Sequence, residues 1–154
     1  MTDDGLELDK QVCFALYSAT RAVTQLYRPV LDALGLTYPQ YLVMLVLWER
    51  GASTVKQLGQ ALELDSGTLS PLLKRLEAQG YVHRERSTVD ERSVFIHLTH
   101  SGSVLRTRAS SVPRRIAGAT GMEFVELEAL RQNLVRLTQA VSTHQLEPEE
   151  GDQP

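Results

Sequence analysis

The chain has 154 residues, 42% apolar and 23% charged, which supports one globular core and excludes a disordered or fibrous chain. Its longest apolar run, YLVMLVLW at 41–48, is far short of the ~20 residues that span a bilayer, and the acidic start MTDDGLELDK is unlike a secretory signal, so a cytoplasmic, membrane-free protein is expected. The formal charge of −3 is unevenly spread: residues 10–146 hold all 16 Lys and Arg against 11 acids, a body of +5 between acidic tails at 1–5 and 146–154, which suits a nucleic-acid partner.

In chain order, Leu8, Val12, Leu16, Val23, Leu26, Val30, Leu31 and Leu34 keep helical spacing and predict a long first helix. Pro29 lies inside it, and Gly35 ends it. Cys13, the one cysteine, sits near its start with Tyr17 a turn further on. No internal disulfide is possible, which suits a reducing compartment and leaves a free thiol. TYPQ then places Thr37 and Gln40 at capping-box spacing, opening a mostly buried helix to Arg50 that Gly51 stops. Thr54 and Gln57 repeat the pattern ahead of a short helix at about 55–62. DSGTLSPLLKRLEAQG forms another from about Ser66 to Gln79, with Leu69, Leu72, Leu73 and Leu76 inward and Gly80 as its stop. YVHRER and RSVFIHLT are strand-like and joined by the polar turn STVDE, so a β-hairpin follows. Two C-terminal helices are predicted, about His100 to Ala117 and Met122 to His144, the second opened by a box of Thr120 and Glu123.

Two short helices joined by a tight turn make a helix-turn-helix candidate, and the hairpin behind them gives the winged order. The outward face of the second helix carries Ser66, Thr68, Ser70, Lys74 and Arg75, hydroxyls and cations suited to phosphates and base edges, though a merely solvated face is the alternative. Arg84, Arg86, Asp90 and Arg92 extend this set into the hairpin. Arg92 at the wing tip, oriented by Asp90, is expected to enter the minor groove. The first helix and the last, with Leu127, Leu130, Leu134, Leu137 and Val141, show more apolar surface than a lone winged domain covers, which asks for a homodimer.

DERSVFIHLTHSG resembles the wing signature of the MarR family of bacterial transcription regulators, with Asp90 and Arg92 at its charged positions and Thr99 and Gly102 behind them. The resemblance covers about residues 6–145 as a single MarR-type domain. It implies a mainly α fold with a small β-hairpin wing, a winged helix-turn-helix at about 52–99, and a dimer built from helices at about 6–34 and 100–145. CFALY, LTYPQYLVMLVLWE and LDSGTLSPLLKRLE resemble stretches of the organic-hydroperoxide-sensing branch, in its one-cysteine class. That likeness implies that Cys13 is a redox sensor and that Tyr17, Tyr27 and Tyr38 belong to its hydrogen-bond network. It also implies a repressor that leaves an inverted-repeat operator in double-stranded DNA when an organic hydroperoxide oxidises Cys13.

The residues bear on that implication independently. A lone free cysteine is most simply buried packing, but phenols can donate hydrogen bonds to a thiolate, the form that attacks peroxides. Tyr27 lies ~20 Å along the helix from Cys13, so it reaches the thiol only from a partner subunit. Such a thiol is expected in an apolar pocket lined by Phe14, Leu16 and the 41–48 run. With no second cysteine to recycle it, a sensor is expected rather than an enzyme. Its sulfenic acid could resolve with a low-molecular-weight thiol, as a sulfenamide, or by further oxidation. The alternative is a repressor of the same fold released by a small aromatic ligand, Cys13 being incidental. His83, His97, His100 and His144 show no metal-ligand spacing, and neither a metal nor another cofactor is expected.

Overall fold

The structure, a computed structural model, describes residues 5–144. Asp3, Asp4, Glu147, Glu149, Glu150 and Asp152 of the acidic tails lie outside the described residues. After a 3-10 turn (Leu8–Lys10) come α1 (Val12–Asp32), α2 (Tyr38–Arg50), β1 (Ser53–Thr54), α3 (Val55–Leu62), α4 (Ser66–Ala78), β2 (Val82–Arg86), β3 (Val94–Leu98), α5 (His100–Ala109), α6 (Val112–Ala119) and α7 (Phe124–Ser142). The chain divides into two compact units, Met1–Val112 and Pro113–Pro154. Among the described residues no helix is long and apolar enough to cross a membrane.

In the first unit α2 is the central helix, because its apolar residues lie all round it. Tyr41, Val43, Met44 and Leu47 are buried, as are Leu31, Leu58, Leu69, Leu73, Leu76, Val82 and Ile96 around them. The capping box forms as the sequence predicts. The Thr37 N–H donates to the Gln40 amide oxygen at 2.9 Å, and Gln40 N–H donates back to the Thr37 hydroxyl at 3.4 Å. Thr54 and Gln57 do the same for α3 at 2.8 and 3.1 Å. The helix-turn-helix corner closes with Glu63 in the left-handed region, φ 55, its N–H bonded to the Gly59 carbonyl.

The sheet order is β1-β3-β2, all antiparallel, with Val82 opposite Leu98, His83 opposite His97 and Arg84 opposite Ile96. Val82 and Ile96 are buried on one face, which packs on the helices, so His83, Glu85 and His97 share the other. Two-residue β1 lies beyond the predicted elements: Ser53 and Thr54 pair with Ile96 and Phe95. The Thr99 and Gly102 of the wing signature are structural. Thr99 Oγ1 donates to the Gly80 carbonyl at 2.6 Å and accepts the Gly102 N–H at 3.0 Å, capping α5. Gly102 then lies against the Tyr81 backbone, where any Cβ would overlap the carbonyl oxygen. The same residue's carbonyl accepts the Trp48 indole N–H at 2.9 Å.

The turn from α1 to α2 is fastened to the segment after α4 and to α5. The carbonyls of Ala33, Leu34 and Gly35, which a helix end leaves without partners, accept from Arg108 Nη2 at 2.7 Å, the Tyr81 hydroxyl at 3.3 Å and the Gln79 amide at 2.6 Å. The Gln40 amide in turn donates to the Gln79 side-chain oxygen at 3.2 Å.

Three helix boundaries differ from expectation. The first helix begins at Val12, because Gln11 is extended and its amide folds back onto the carbonyls of Gly5 and Glu7 at 2.6 and 3.1 Å. The helix predicted at 100–117 is two, α5 and α6: Pro113 has no N–H to give the Ala109 carbonyl, so the ladder is interrupted there. Helix α7 is capped by Glu123, whose N–H donates to the Glu126 carboxylate at 2.8 Å. Thr120 instead accepts the Met122 N–H at 3.2 Å. In the second unit, α7 leaves Leu130, Leu134, Leu137 and Val141 exposed.

Candidate nucleic-acid interface and thiol site

Helix α4 starts at Asp65, whose carboxylate accepts the Thr68 N–H at 2.8 Å and the Thr68 hydroxyl at 3.0 Å. These bonds, the backbone one first, hold the Asp65 carboxyl below its ordinary range. The four leucines predicted to face inward are buried, and Ser66, Thr68, Ser70, Lys74 and Arg75 are exposed. Helical geometry refines their roles. Directly opposite the leucines stand Gly67, Pro71, Lys74 and Ala78, with Ser66 and Ser70 on one flank and Thr68 and Arg75 on the other. Arg75 lines a groove of about 660 Å³ with Asp32, Gly35, Gln40 and Gln79, so it faces the α1–α2 turn. Sequence reasoning passed over Gly67 and Pro71. Both are exposed at the crest of α4, and their signal was their phase on the helix.

In the hairpin, Arg84 is paired within the chain. Its Nε and Nη2 contact one Glu77 carboxylate oxygen at 2.8 and 2.7 Å, and its N–H donates to the other at 3.0 Å, tying β2 to α4. Those side-chain bonds hold the Glu77 carboxyl below its usual value. Arg86, Lys74 and Arg92 are exposed and make no ion pair among the described residues. Asp90 organises the wing tip through the backbone: it accepts the Arg92 N–H at 3.0 Å and the Ser93 hydroxyl at 3.0 Å, leaving the guanidinium unpaired. Arg92 borders a cavity of about 620 Å³ together with Lys56, Gln60, Glu63 and Ser66. Lys56 was also missed. A cation in the first turn of α3 opposes the helix dipole, and that misplacement was the available signal for a surface role.

Cys13 is the second residue of α1 and is exposed, with no hydrogen bond among the described residues. Val12, Phe14 and Tyr17 around it are 67%, 41% and 60% exposed. The expected lining by Phe14 and the 41–48 run is therefore not formed within one chain, where most of that run is buried in its own core and Leu45 is exposed. Tyr17 carries the Arg21 guanidinium 5.6 Å from its ring centre. Tyr27 and Tyr38 come together, ring centres 4.7 Å apart, and Tyr41 joins them at 6.0 and 6.5 Å. Burial, then the neighbouring phenols, pushes Tyr27 up to about 12, and burial raises Tyr38 and Tyr41 as well. All three are thus neutral O–H groups at physiological pH. Tyr27 and Tyr38 line a cavity of about 310 Å³ with Thr24, Arg28, Leu36 and Pro39, and their hydroxyls have no partner among the described residues. The structure therefore unites Tyr27 and Tyr38 and leaves Tyr17 with Cys13 at the other end of the helix.

A capped reading helix, its partner helix and a hairpin wing define a winged helix-turn-helix regulator. The family model of the transcriptional regulators SarA/Rot matches residues 25–107. The chain is 46% identical over 138 residues to the organic hydroperoxide resistance transcriptional regulator of Bacillus subtilis (strain 168), covering 90% of this chain and 94% of that protein. It is 50% identical over 135 residues to the transcriptional regulator TtmR of Methylorubrum extorquens (strain PA1), covering 88% and 69%. Its fold matches that of reduced AbfR bound to DNA with a TM-score of 0.77 at 37% identity, covering 92% and 97%. The chain belongs to the MarR family of winged-helix transcription regulators, in the branch that holds the Bacillus organic hydroperoxide resistance regulator.

Proposed function

We propose that this protein is a cytoplasmic, homodimeric repressor that binds an inverted-repeat operator and releases it when an organic hydroperoxide oxidises Cys13. The observation that carries the reading is the division of one reactive centre along one helix. An exposed thiol stands at the start of α1; Tyr27 stands ~21 Å along the same helix beside Tyr38 of α2, and neither hydroxyl has a partner among the described residues. Two α1 helices running antiparallel across a two-fold axis bring each thiol to the other subunit's phenols, and cover the exposed Val12, Phe14 and Tyr17. The AbfR complex with DNA and the name of the Bacillus relative support the DNA and hydroperoxide parts of this reading.

The chemistry follows from the groups present. The Cys13 thiolate attacks the outer peroxide oxygen. An S–O bond forms, the O–O bond breaks, the outer oxygen keeps its hydrogen as S–OH, and the alkoxide leaves and takes a proton to become an alcohol. A small thiol then condenses with the sulfenic acid, forming a mixed disulfide and water. The phenols of Tyr27 and Tyr38, neutral at working pH, supply the donors that favour the thiolate. The apolar surroundings favour organic over hydrogen peroxide, because an alkyl or aryl tail gains ~25 cal/mol per Å² of apolar surface buried. With one cysteine per chain and none to resolve it internally, each oxidation leaves the sensor modified until an outside thiol reduces it, which suits reporting hydroperoxide rather than clearing it.

Gel-shift titration with and without cumene hydroperoxide tests this. Cys13→Ser should bind the operator as the parent does and ignore the oxidant, and Tyr27→Phe should respond sluggishly. Release of Cys13→Ser by cumene hydroperoxide would instead make Cys13 incidental and the 310 Å³ cavity a site for a small aromatic effector.

A further inference from the structure

The outer face of the wing carries a cluster for which DNA reading and thiol chemistry give no use. His83 on β2 lies directly opposite His97 on β3, their rings parallel within 11° and 5.0 Å between centres. Glu85, two residues beyond His83, is on the same face, and its carboxylate oxygen stands 3.3 Å from His97 Nε2. One donor atom from each of the three residues lies within 4.8 Å of the others. We propose that His83, Glu85 and His97 form a site for a borderline divalent transition metal, Zn²⁺ or a similar ion such as Cu²⁺ or Ni²⁺.

The donor set and the spacing both fit. Two imidazoles and one carboxylate are the ligands such ions take when a water completes a tetrahedron, and bonds of ~2.1 Å place the donors about 3.4 Å apart. His97 and Glu85 already stand at that separation. His83 is exposed and needs only a side-chain rotation to close on them. The site is built by strand register: residues 83 and 97 are fourteen apart in sequence and become neighbours only in the ladder. Phe95, its ring centre 6.1 Å from that of His97, borders the site on β3. A bound ion cross-links β2 to β3 beside the loop that carries Arg92. It also turns the single negative charge of Glu85 into a local charge of +1 on an element placed to meet phosphates.

The test uses the full-length protein with Cys13→Ser as parent, so that the thiol contributes no ligand. Co²⁺, a spectroscopic stand-in for Zn²⁺, should bind one per chain with the visible absorption of four-coordinate cobalt, and Zn²⁺ should displace it. His83→Gln and His97→Gln should each lower the affinity by more than about tenfold, the least that disturbing the partners of a metal ligand costs. Both variants should bind metal-free operator as the parent does, which shows that they are folded. Equal cobalt absorption and stoichiometry in both variants would overturn the proposal. So would its absence from the parent at ~100 μM Co²⁺, leaving only the His97–Glu85 contact.

Discussion

At single residues the fold leaves little latitude in two places. Gly102 packs its Cα on the Tyr81 carbonyl while its own carbonyl holds the Trp48 indole, so a methyl group must force α5 away from the sheet. Gly102→Ala should lose about 1–3 kcal/mol, read as a lower Tm. In the family's wing signature this glycine is therefore an architectural residue. Arg92 is the opposite case: Asp90 fixes its backbone, and no described residue pairs with its side chain. Arg92→Ala should leave Tm unchanged and cost on the order of 1–3 kcal/mol of operator affinity, measured by fluorescence anisotropy. Asp90→Ala, which unfastens the loop, should lose part of the same affinity without removing a cation.

At the scale of elements, the pairing of α4 with the wing depends on the Glu77–Arg84 bond. The Glu77 carboxyl is held below its ordinary 4.5, so the folded state favours the ionised form. Its contribution is present above that ordinary value and disappears as pH falls through and below it. The parent should therefore lose Tm on acidification below about pH 4.5 more steeply than Glu77→Gln, and the two curves should converge at the acid end. Helices α2, α3 and α4 were legible in the sequence because each announces its own start with Thr or Asp and its inner face with a leucine or mixed apolar period. Two breaks were not. At Gln11 the apolar spacing of Leu8, Val12 and Leu16 runs straight through, and only the side-chain bonds to Gly5 and Glu7 stop the helix. At Ser110 the signal existed, since Pro113 marks a first turn, but the apolar phase concealed it. The triad His83, Glu85 and His97, the Arg84 tether and the Tyr41 contribution all depend on which residues face each other across elements, and no local pattern carries that.

For the whole molecule, exposed apolar side chains occur in both units, at Val12, Phe14, Tyr17 and Val23 in one and at Leu130, Leu134, Leu137 and Val141 in the other. Exposed apolar residues in such number are the expected mark of a surface that a second copy covers in the proposed dimer. Sedimentation at micromolar concentration should show a dimer, with an interface large and apolar enough to place it among obligate assemblies. A monomer that still bound operator tightly would refute both the assembly and the two-chain thiol site.

The three fastened carbonyls at Ala33, Leu34 and Gly35 make α1 a lever with a fixed fulcrum. Its 21 residues span ~31 Å, and Cys13 stands one residue from the free tip. A group of ~3 Å inserted beneath that tip turns the rod by about 6° around a pivot whose bolts, Gln79 and Tyr81, come directly after the reading helix. The same rotation driven from halfway along would need half the stroke but twice the force. Placing the thiol at the far end gives a weak push its greatest torque on the turn that Gln79 and Tyr81 tie to the end of α4.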